Sequence, residues 1–334
     1  QMASRLNRRT FLKTGVPVGV ATLAAPALAK APINIRFSHI MQPSGHPKGE
    51  AAEMFKTLVA QRMGGDVVVE VFPNSSLFND EKVLEAMALG DVQMAAPALS
   101  KFETFTKAFQ VFDLPFIFKD DAAVSQFEDS KTGLAMLASL KAQGLTGLAY
   151  WRNGMKQLSA NKPLLMPADI KGLKIRIQPS EIIQAQFEVL GANPQKMAFP
   201  EVYGALQTGV VDGCENPWIN IYKQKFYEVQ DGVTASNHGV IDYAVVADSA
   251  FWSRLPAEVR TELEAILVEV TAFERKRALE LDLESRDKLV ALGTTIRELD
   301  ATQHAAWVAA VQPVWKRFSG QIGPDIVQAA AARS

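Results

Sequence analysis

The sequence is poor in the residues that hold metal ions and covalent cross-links. Cys214 is the only cysteine among 334 residues, so neither a disulfide within the chain nor a cysteine metal cluster can form. The four histidines, His39, His46, His238 and His304, are scattered, and no pair has the HExxH spacing of a zinc site. We therefore expect neither a metal ion nor any other cofactor.

The sequence also lacks an excess of charge of one sign and the motifs of common enzymes. Its formal net charge is −1, which argues against a nucleic-acid partner. The G-x-S-x-G, Walker and G-x-G-x-x-G motifs are absent. Cys214 lies in an apolar stretch, which is typical of an inert buried thiol. Nothing positively indicates catalysis, and we predict a protein that is not an enzyme.

One long apolar run is present, at the N-terminus. Asn7–Lys13 has the pattern of a twin-arginine export signal, and the apolar run Val16–Leu28 follows it. Ala27–Ala29 has the A-x-A form of a cleavage site. An amphipathic N-terminal helix fits less well, because the run is apolar on all sides. We interpret residues 1–29 as a twin-arginine signal peptide and predict a bacterial protein exported to the periplasm.

Strands and helices alternate along the rest of the chain. Predicted strands at Ile33–Ile40 and Val67–Phe72 flank a helix at Pro47–Met63, which is the order of a parallel sheet with right-handed crossovers. A chain of 334 residues is long enough for two domains. Asn153-Gly154 is interpreted as a turn where the chain crosses between them.

Separate short strands are predicted on both sides of this turn. Leu145–Trp151 precedes the turn and Lys156–Asn161 follows it. Gly232–His238 and Tyr243–Ala247 are predicted as two further strands. These patterns indicate an α/β fold with mostly parallel sheets.

A segment of unusual length lies near the C-terminus. Between Pro256 and Leu292 there is neither proline nor glycine, and apolar residues keep helical spacing. The pattern predicts one helix on the order of 55 Å long, too long for one small lobe, so we expect it to run along both lobes. Two helices joined at a kink are the alternative.

The stretch Gly172–Glu181 carries the strongest candidate for a binding residue. Apolar and polar residues alternate from Leu173 to Gln178, which predicts a strand, and Ser180 is placed to cap the helix that follows. Arg176 would therefore lie near the carboxyl end of a strand and beside a helix N-terminus, where α/β proteins bind anions. An arginine at a strand edge, paired with a nearby acid, is the alternative.

Three further residues follow strands of the second set. Lys156 lies just past the predicted crossing, Asn216 is expected to cap a helix that begins at Pro217, and Phe199 precedes another helix. Because the ends of consecutive strands meet at one edge of a parallel sheet, these residues and Arg176 would form an anion cleft. The nearby Glu215 is interpreted as a partner of the helix dipole.

Four segments, taken in their order along the chain, resemble the signature of a known family. Gly172–Arg176, Met197–Tyr203, Ala205–Gly213 and Glu215–Pro217 are similar to the DctP family, the extracytoplasmic solute-binding proteins of TRAP (tripartite ATP-independent periplasmic) transporters. The resemblance covers essentially the whole mature chain. It implies a two-lobe, type II periplasmic-binding-protein-like fold that closes by hinge motion. We expect residues 30–153 plus 242–281 to form lobe I, and residues 154–241 plus 282–334 to form lobe II.

The resemblance also implies a ligand and a set of contacts. In the family, the arginine matching Arg176 binds the ligand carboxylate, and the residues matching Asn216 and Phe199 line the same pocket. Lys156 stands where many members have a second arginine. His39 and Tyr243 are placed to reach the cleft from the other lobe, although a structural hydrogen-bonding role suits both equally well.

The expected ligand is a C4-dicarboxylate such as malate, succinate or fumarate, because residues 153–157 and 215–218 most resemble the binders of these acids. The expected partners are this small organic acid and the integral membrane subunits of a TRAP transporter, with the protein itself a monomer. Two alternatives stay open: the same role with a keto, aromatic or sugar acid, and an exported enzyme that uses Lys156 as a base.

Overall fold

The computed structural model describes residues 31–333. The predicted signal peptide, residues 1–29, and the predicted start of the mature chain at Lys30 lie outside this part. Among residues 31–333 we find no helix with the length and apolarity needed to cross a lipid bilayer.

The described residues form one mixed sheet with helices on its faces. Its strands are β1 (Ile33–Ser38), β2 (Val67–Phe72), β3 (Met94–Ala95), β4 (Leu145–Ala160), β5 (Lys174–Ile177), β6 (Asn193–Lys196), β7 (Gly213–Asn216), β8 (Gly232–Asp248) and β9 (Ile296–Glu298). The α-helices are α1 (Pro47–Met63), α2 (Val83–Ala88), α3 (Asp121–Glu128), α4 (Lys131–Ser139), α5 (Glu181–Val189), α6 (Val202–Gln207), α7 (Trp218–Lys223), α8 (Ser249–Arg254), α9 (Ala257–Ala291), α10 (Ala301–Ile322) and α11 (Pro324–Ala331).

The strand order places two long antiparallel strands between two parallel groups. It runs β2-β1-β3-β8-β4-β7-β5-β6, with β9 beside β8. On one side β1 pairs in parallel with β2 and β3, and on the other β5 pairs in parallel with β6 and β7. The predicted α/β class is confirmed, and the centre of the sheet is the antiparallel pair β4–β8.

The prediction of a turn at Asn153-Gly154 is wrong. The chain continues through both residues as β4, with a bulge between Arg152 and Gly154, and β8 likewise joins the two strands predicted for its residues. Asp242 of β8 stabilises the bulge, because its Oδ1 accepts a hydrogen bond from the Asn153 amide over 2.9 Å. Gly154 has φ 145°, and a Cβ there would lie 3.2 Å from the Asp282 carboxyl group. Pairing with β8 therefore overrides the local turn signal.

The long helix is confirmed as one continuous element. α9 has 35 residues, a length of about 52 Å, so the alternative of two separate helices is wrong. Leu263 and Ile266, in its first half, pack into a core with α1 and β1. Leu289, near its end, packs into a different core with α6 and β7. The helix therefore spans two separately packed parts of the molecule.

The C-terminal helices also contact more than one core. Trp307 and Val311 of α10 pack beside β5 and α5, whereas Phe318 of the same helix packs with the phenylalanine-rich segment between β3 and α3. α11 joins this second core through Val327. The proposed lobe II, which ends with these helices, thus shares a core with residues of the proposed lobe I. The lobe boundaries stay a prediction.

Candidate functional site

A cavity opens at the carboxyl ends of β5 and β7, where the sequence predicted an anion cleft. Its empty volume is about 380 Å³, including its opening to solvent. Four of the six predicted site residues line it, namely Arg176, Asn216, Phe199 and Tyr243. His39 and Lys156 are not part of its lining.

Arg176 is positioned by the strand and the helix around it. Ile175 and Ile177 are fully buried in the core against α5, so the residue between them points to the opposite face of the sheet. Ser180 caps α5, as predicted, because its hydroxyl accepts a hydrogen bond from the Ile183 amide over 3.3 Å. The strand and the capped helix together hold the guanidinium in one place.

The guanidinium of Arg176 is buried without an acidic partner. The residue is 1% exposed, and its Nε and Nη2 donate hydrogen bonds to the Met197 carbonyl over 3.0 and 2.8 Å. Among the residues that the structure describes, no carboxylate oxygen lies within 4.0 Å of it. Burial lowers its pKa below the ordinary value, yet an arginine stays charged in proteins. The alternative of an arginine paired with a nearby acid is therefore wrong.

Asn216 and Phe199 form the wall beside Arg176. Asn216 is fully buried at the end of β7, and its Oδ1 accepts a hydrogen bond from Asn220 over 3.2 Å. It does not cap α7 as predicted, because Pro217 occupies the N-cap position. The ring of Phe199 lies 5.9 Å from the guanidinium of Arg176. This wall is thus amide and aromatic surface without charge.

Tyr243 reaches the cavity from β8, and His39 does not reach it. Tyr243 is 1% exposed, and its hydroxyl has no hydrogen-bond partner within residues 31–333. The Lys48 ammonium lies 3.4 Å from the centre of its ring. His39 instead accepts a hydrogen bond at Nδ1 from the Met41 amide over 3.2 Å. Burial, with the charge of Lys48, lowers the pKa of His39 to about 3, so its imidazole is neutral at pH 7.

Lys156 is buried away from the cavity in an internal ion pair. Its Nζ donates a hydrogen bond to Glu215 Oε1 over 2.7 Å, and the other oxygen of Glu215 contacts His238 Nε2 at 2.7 Å. Burial alone would raise the pKa of Glu215, but the nearby Lys156 and His238 outweigh it and lower that pKa to about 2. Glu215 is therefore an ion-pair partner in β7, and its interpretation as a helix-dipole residue is wrong.

Sequence reasoning missed a second cation at the cavity. Lys101 lines it together with Asp80 and Glu81, and its Nζ donates a hydrogen bond to Glu81 over 2.6 Å. Its side chain is 6% exposed. The signal in the sequence was a single lysine near the apolar residues Ala98 and Phe102. Both of these residues are buried in the structure.

The arrangement is suited to holding an anion and offers no metal site. In the part of the chain that the structure describes, no three histidine, cysteine or acidic side chains are grouped so that they could hold a metal ion. The buried Cys214 lies beside the site, and burial raises the pKa of its thiol. The cavity therefore combines buried cationic, amide and hydroxyl donors, which is the chemistry of carboxylate recognition.

Comparisons with known proteins agree with this geometry. The family described as "Bacterial extracellular solute-binding protein, family 7" (DctP) matches residues 37–321. The chain is 50% identical over 300 residues to the C4-dicarboxylate-binding periplasmic protein DctP of Vibrio cholerae serotype O1, covering 90% of each protein.

Solved structures are similar over nearly the same length. A TRAP periplasmic solute-binding protein from Shewanella oneidensis with bound succinate is 47% identical, with a TM-score of 0.89 over 91% of this chain and 99% of that one. A protein of the same kind from Pseudomonas aeruginosa PAO1 with bound L-malate is 45% identical, with a TM-score of 0.83 over 86% of this chain and 100% of that one. The fold is thus the two-lobe α/β type, and the chain belongs to the DctP family of bacterial extracellular solute-binding proteins.

Proposed function

We propose that this protein captures a C4-dicarboxylate, such as succinate, malate or fumarate, in the periplasm and delivers it to the membrane subunits of a TRAP transporter. The observation that carries the proposal is Arg176, a guanidinium that is 1% exposed, lines the cavity and has no acidic partner among the described residues. The relatives that bind succinate and L-malate support the choice of ligand class.

A ligand carboxylate would supply the charge that Arg176 lacks. Burying an ionised group without a partner costs free energy, so the entry of an anion stabilises the site. Arginine has five N–H donors, and the Met197 carbonyl accepts from two of its nitrogens, which leaves donors for a carboxylate. Each charge-assisted hydrogen bond contributes roughly 1.5–3 kcal/mol. Two such bonds give Arg176 the largest single share of the affinity.

Closure of the two lobes would exclude water from the bound acid. The antiparallel pair β4–β8 and the helix α9 run between the separately packed cores, so they are the elements expected to bend. Excluding water strengthens each ion pair in the site, and ligand binding then stabilises the closed state. Residues 1–29 would direct export, and the released protein would act in the periplasm as a monomer.

The proposal is tested by measuring the binding of a panel of acids by isothermal titration calorimetry. We expect succinate, malate and fumarate to bind with a Kd of about 1 μM or below, roughly −8 kcal/mol, and acetate and glucuronate to bind far more weakly. Arg176→Met should abolish binding, whereas Arg254→Met, at an exposed position in the last turn of α8, should leave it unchanged. Equal affinity of the wild-type protein for glucuronate, or full succinate binding by Arg176→Met, would refute the proposal.

A further inference from the structure

We infer that Lys101 and the hydroxyl of Tyr243 receive the second carboxylate of the ligand, opposite Arg176. The inference rests on the proposed function, because it assigns the contacts that make the same site selective for a dianion. It also gives to Lys101 the role that the sequence suggested for Lys156.

The Lys101 ammonium has N–H donors that no described residue accepts from, and the residue lines the cavity. It lines the same cavity as Arg176 but comes from the segment after β3, whereas Arg176 comes from β5. An ammonium group has three donors, and the one hydrogen-bond partner that the structure gives Lys101 Nζ is Glu81, at 2.6 Å. Two donors therefore stay available to an incoming carboxylate.

Tyr243 adds a buried neutral donor at the same cavity. Its hydroxyl is buried and unpartnered within residues 31–333, and the side chain lines the cavity. A buried hydroxyl without a partner is costly, so a ligand oxygen that accepts from it removes this cost. Tyrosine also keeps its proton here, since burial raises its pKa well above the ordinary value.

The charges around the cavity favour an acid with two negative groups. Arg176 and Lys101 line the same cavity. Burial lowers the pKa of Lys101, Glu81 and Asp80 oppose this effect, and the charge of Arg176 adds to the lowering. Glu81 offsets part of the Lys101 charge, and a monocarboxylate bound to Arg176 leaves the remaining N–H donors of Lys101 without an acceptor. A dicarboxylate reaches both cations, so its second carboxylate adds a charge-assisted hydrogen bond.

The other buried lysines do not compete for this role. Lys156 is held by Glu215 at 2.7 Å, and Lys48 donates to the Ala96 carbonyl over 2.9 Å. Neither side chain lines the cavity, and within residues 31–333 its cationic lining consists of Arg176 and Lys101.

The inference is tested by measuring how ligands with two charges and with one charge bind to proteins with and without the charge of Lys101. Succinate and its monoamide, succinamate, have nearly the same size but carry two charges and one. We expect Lys101→Gln to weaken succinate binding by about 10- to 100-fold, as for the loss of a charge-assisted hydrogen bond, and succinamate binding by less than about 3-fold. Lys101→Arg should restore most of the succinate affinity. Lys107→Gln, an exposed position in the same segment outside the cavity lining, is the matched control and should change neither affinity.

Each outcome separates this inference from the proposed function. If wild-type protein fails to bind succinate, the proposed function itself is wrong. If wild-type protein binds and Arg176→Met does not, but Lys101→Gln leaves succinate binding unchanged or weakens both ligands equally, only the inference is overturned. Should Lys101→Gln fail to fold, a crystal structure of the wild-type succinate complex decides. A carboxylate oxygen within about 3.2 Å of Lys101 Nζ supports the inference, and a second carboxylate bound elsewhere overturns it.

Discussion

Two buried cations, in the strands on either side of β7, have opposite relations to their surroundings. Arg176 in β5 and Lys156 in β4 are each 1% exposed. Lys156 has a carboxylate at 2.7 Å and no contact with the cavity, whereas Arg176 lines the cavity and has no carboxylate within reach in the described chain. A buried charge needs a counter-charge. Lys156 receives its counter-charge from Glu215 away from the cavity and is structural, whereas Arg176 receives none at the cavity and is ready for a ligand.

The largest expected effect is on the ion pair between Lys156 and Glu215. Lys156→Met leaves Glu215 buried without its main counter-charge, and removal of one partner of such a pair typically costs about 3–5 kcal/mol. We expect the free energy of unfolding, measured by urea denaturation, to fall by this amount. The double variant Lys156→Met/Glu215→Gln, which buries no lone charge, should recover much of the loss. A stable single variant that no longer binds succinate would instead make Lys156 a ligand residue.

Arg176→Met should weaken ligand binding and change stability little, the reverse of what we expect for Lys156→Met. Loss of the guanidinium removes the carboxylate contact, so calorimetry should give a Kd for succinate at least about 100-fold higher, roughly 3 kcal/mol. The free energy of unfolding should change by only about 1 kcal/mol, because the loss of the two hydrogen bonds to the Met197 carbonyl is offset by removal of an unpaired buried charge. A large loss of stability with intact binding would reverse the comparison between the two cations.

Low pH should weaken the Lys156–Glu215 ion pair in the wild-type protein. The pKa of Glu215 is lowered from 4.5 to about 2, so its ionised form stabilises the fold above pH 4.5, and this contribution is lost as pH falls through the folded-state pKa. About 2 kcal/mol should disappear between pH 4.5 and pH 3. The loss is measured as the difference in pH dependence of unfolding between wild-type protein and Glu215→Gln. Parallel curves for the two proteins would contradict it.

The smallest expected effect concerns the neutral donor at the cavity. Tyr243→Phe removes a buried hydroxyl whose contact with the Asn153 side chain does not reach normal hydrogen-bond geometry, so the free energy of unfolding should change little. Succinate affinity should fall by about fivefold, roughly 1 kcal/mol, for the loss of one hydrogen bond. Calorimetry and thermal denaturation of the same samples measure both quantities. A loss of stability equal to the loss of affinity would indicate a structural role for the hydroxyl.

Local patterns predicted more of the fold than of the site. The strand–helix unit at Gly172–Glu181 and the helix α9 were predicted correctly, because strand alternation, capping and helical spacing are short-range signals. The turn at Asn153-Gly154 was not, because a residue 89 positions away, Asp242, bonds to the Asn153 amide and keeps the strand continuous. Lys101 was missed because nothing near it in sequence shows that its ammonium faces a cavity.

The sequence by itself determined the position of Arg176 at the end of a strand before a capped helix, and it determined the length of α9. Only the tertiary structure decided which buried cation receives an internal acid. Glu215 lies 59 residues from Lys156 and reaches it through the pairing of β4 with β7, whereas no part of the described chain brings an acid to Arg176. The physical reason is that charge pairing acts through distance in space, and local sequence patterns do not specify that distance.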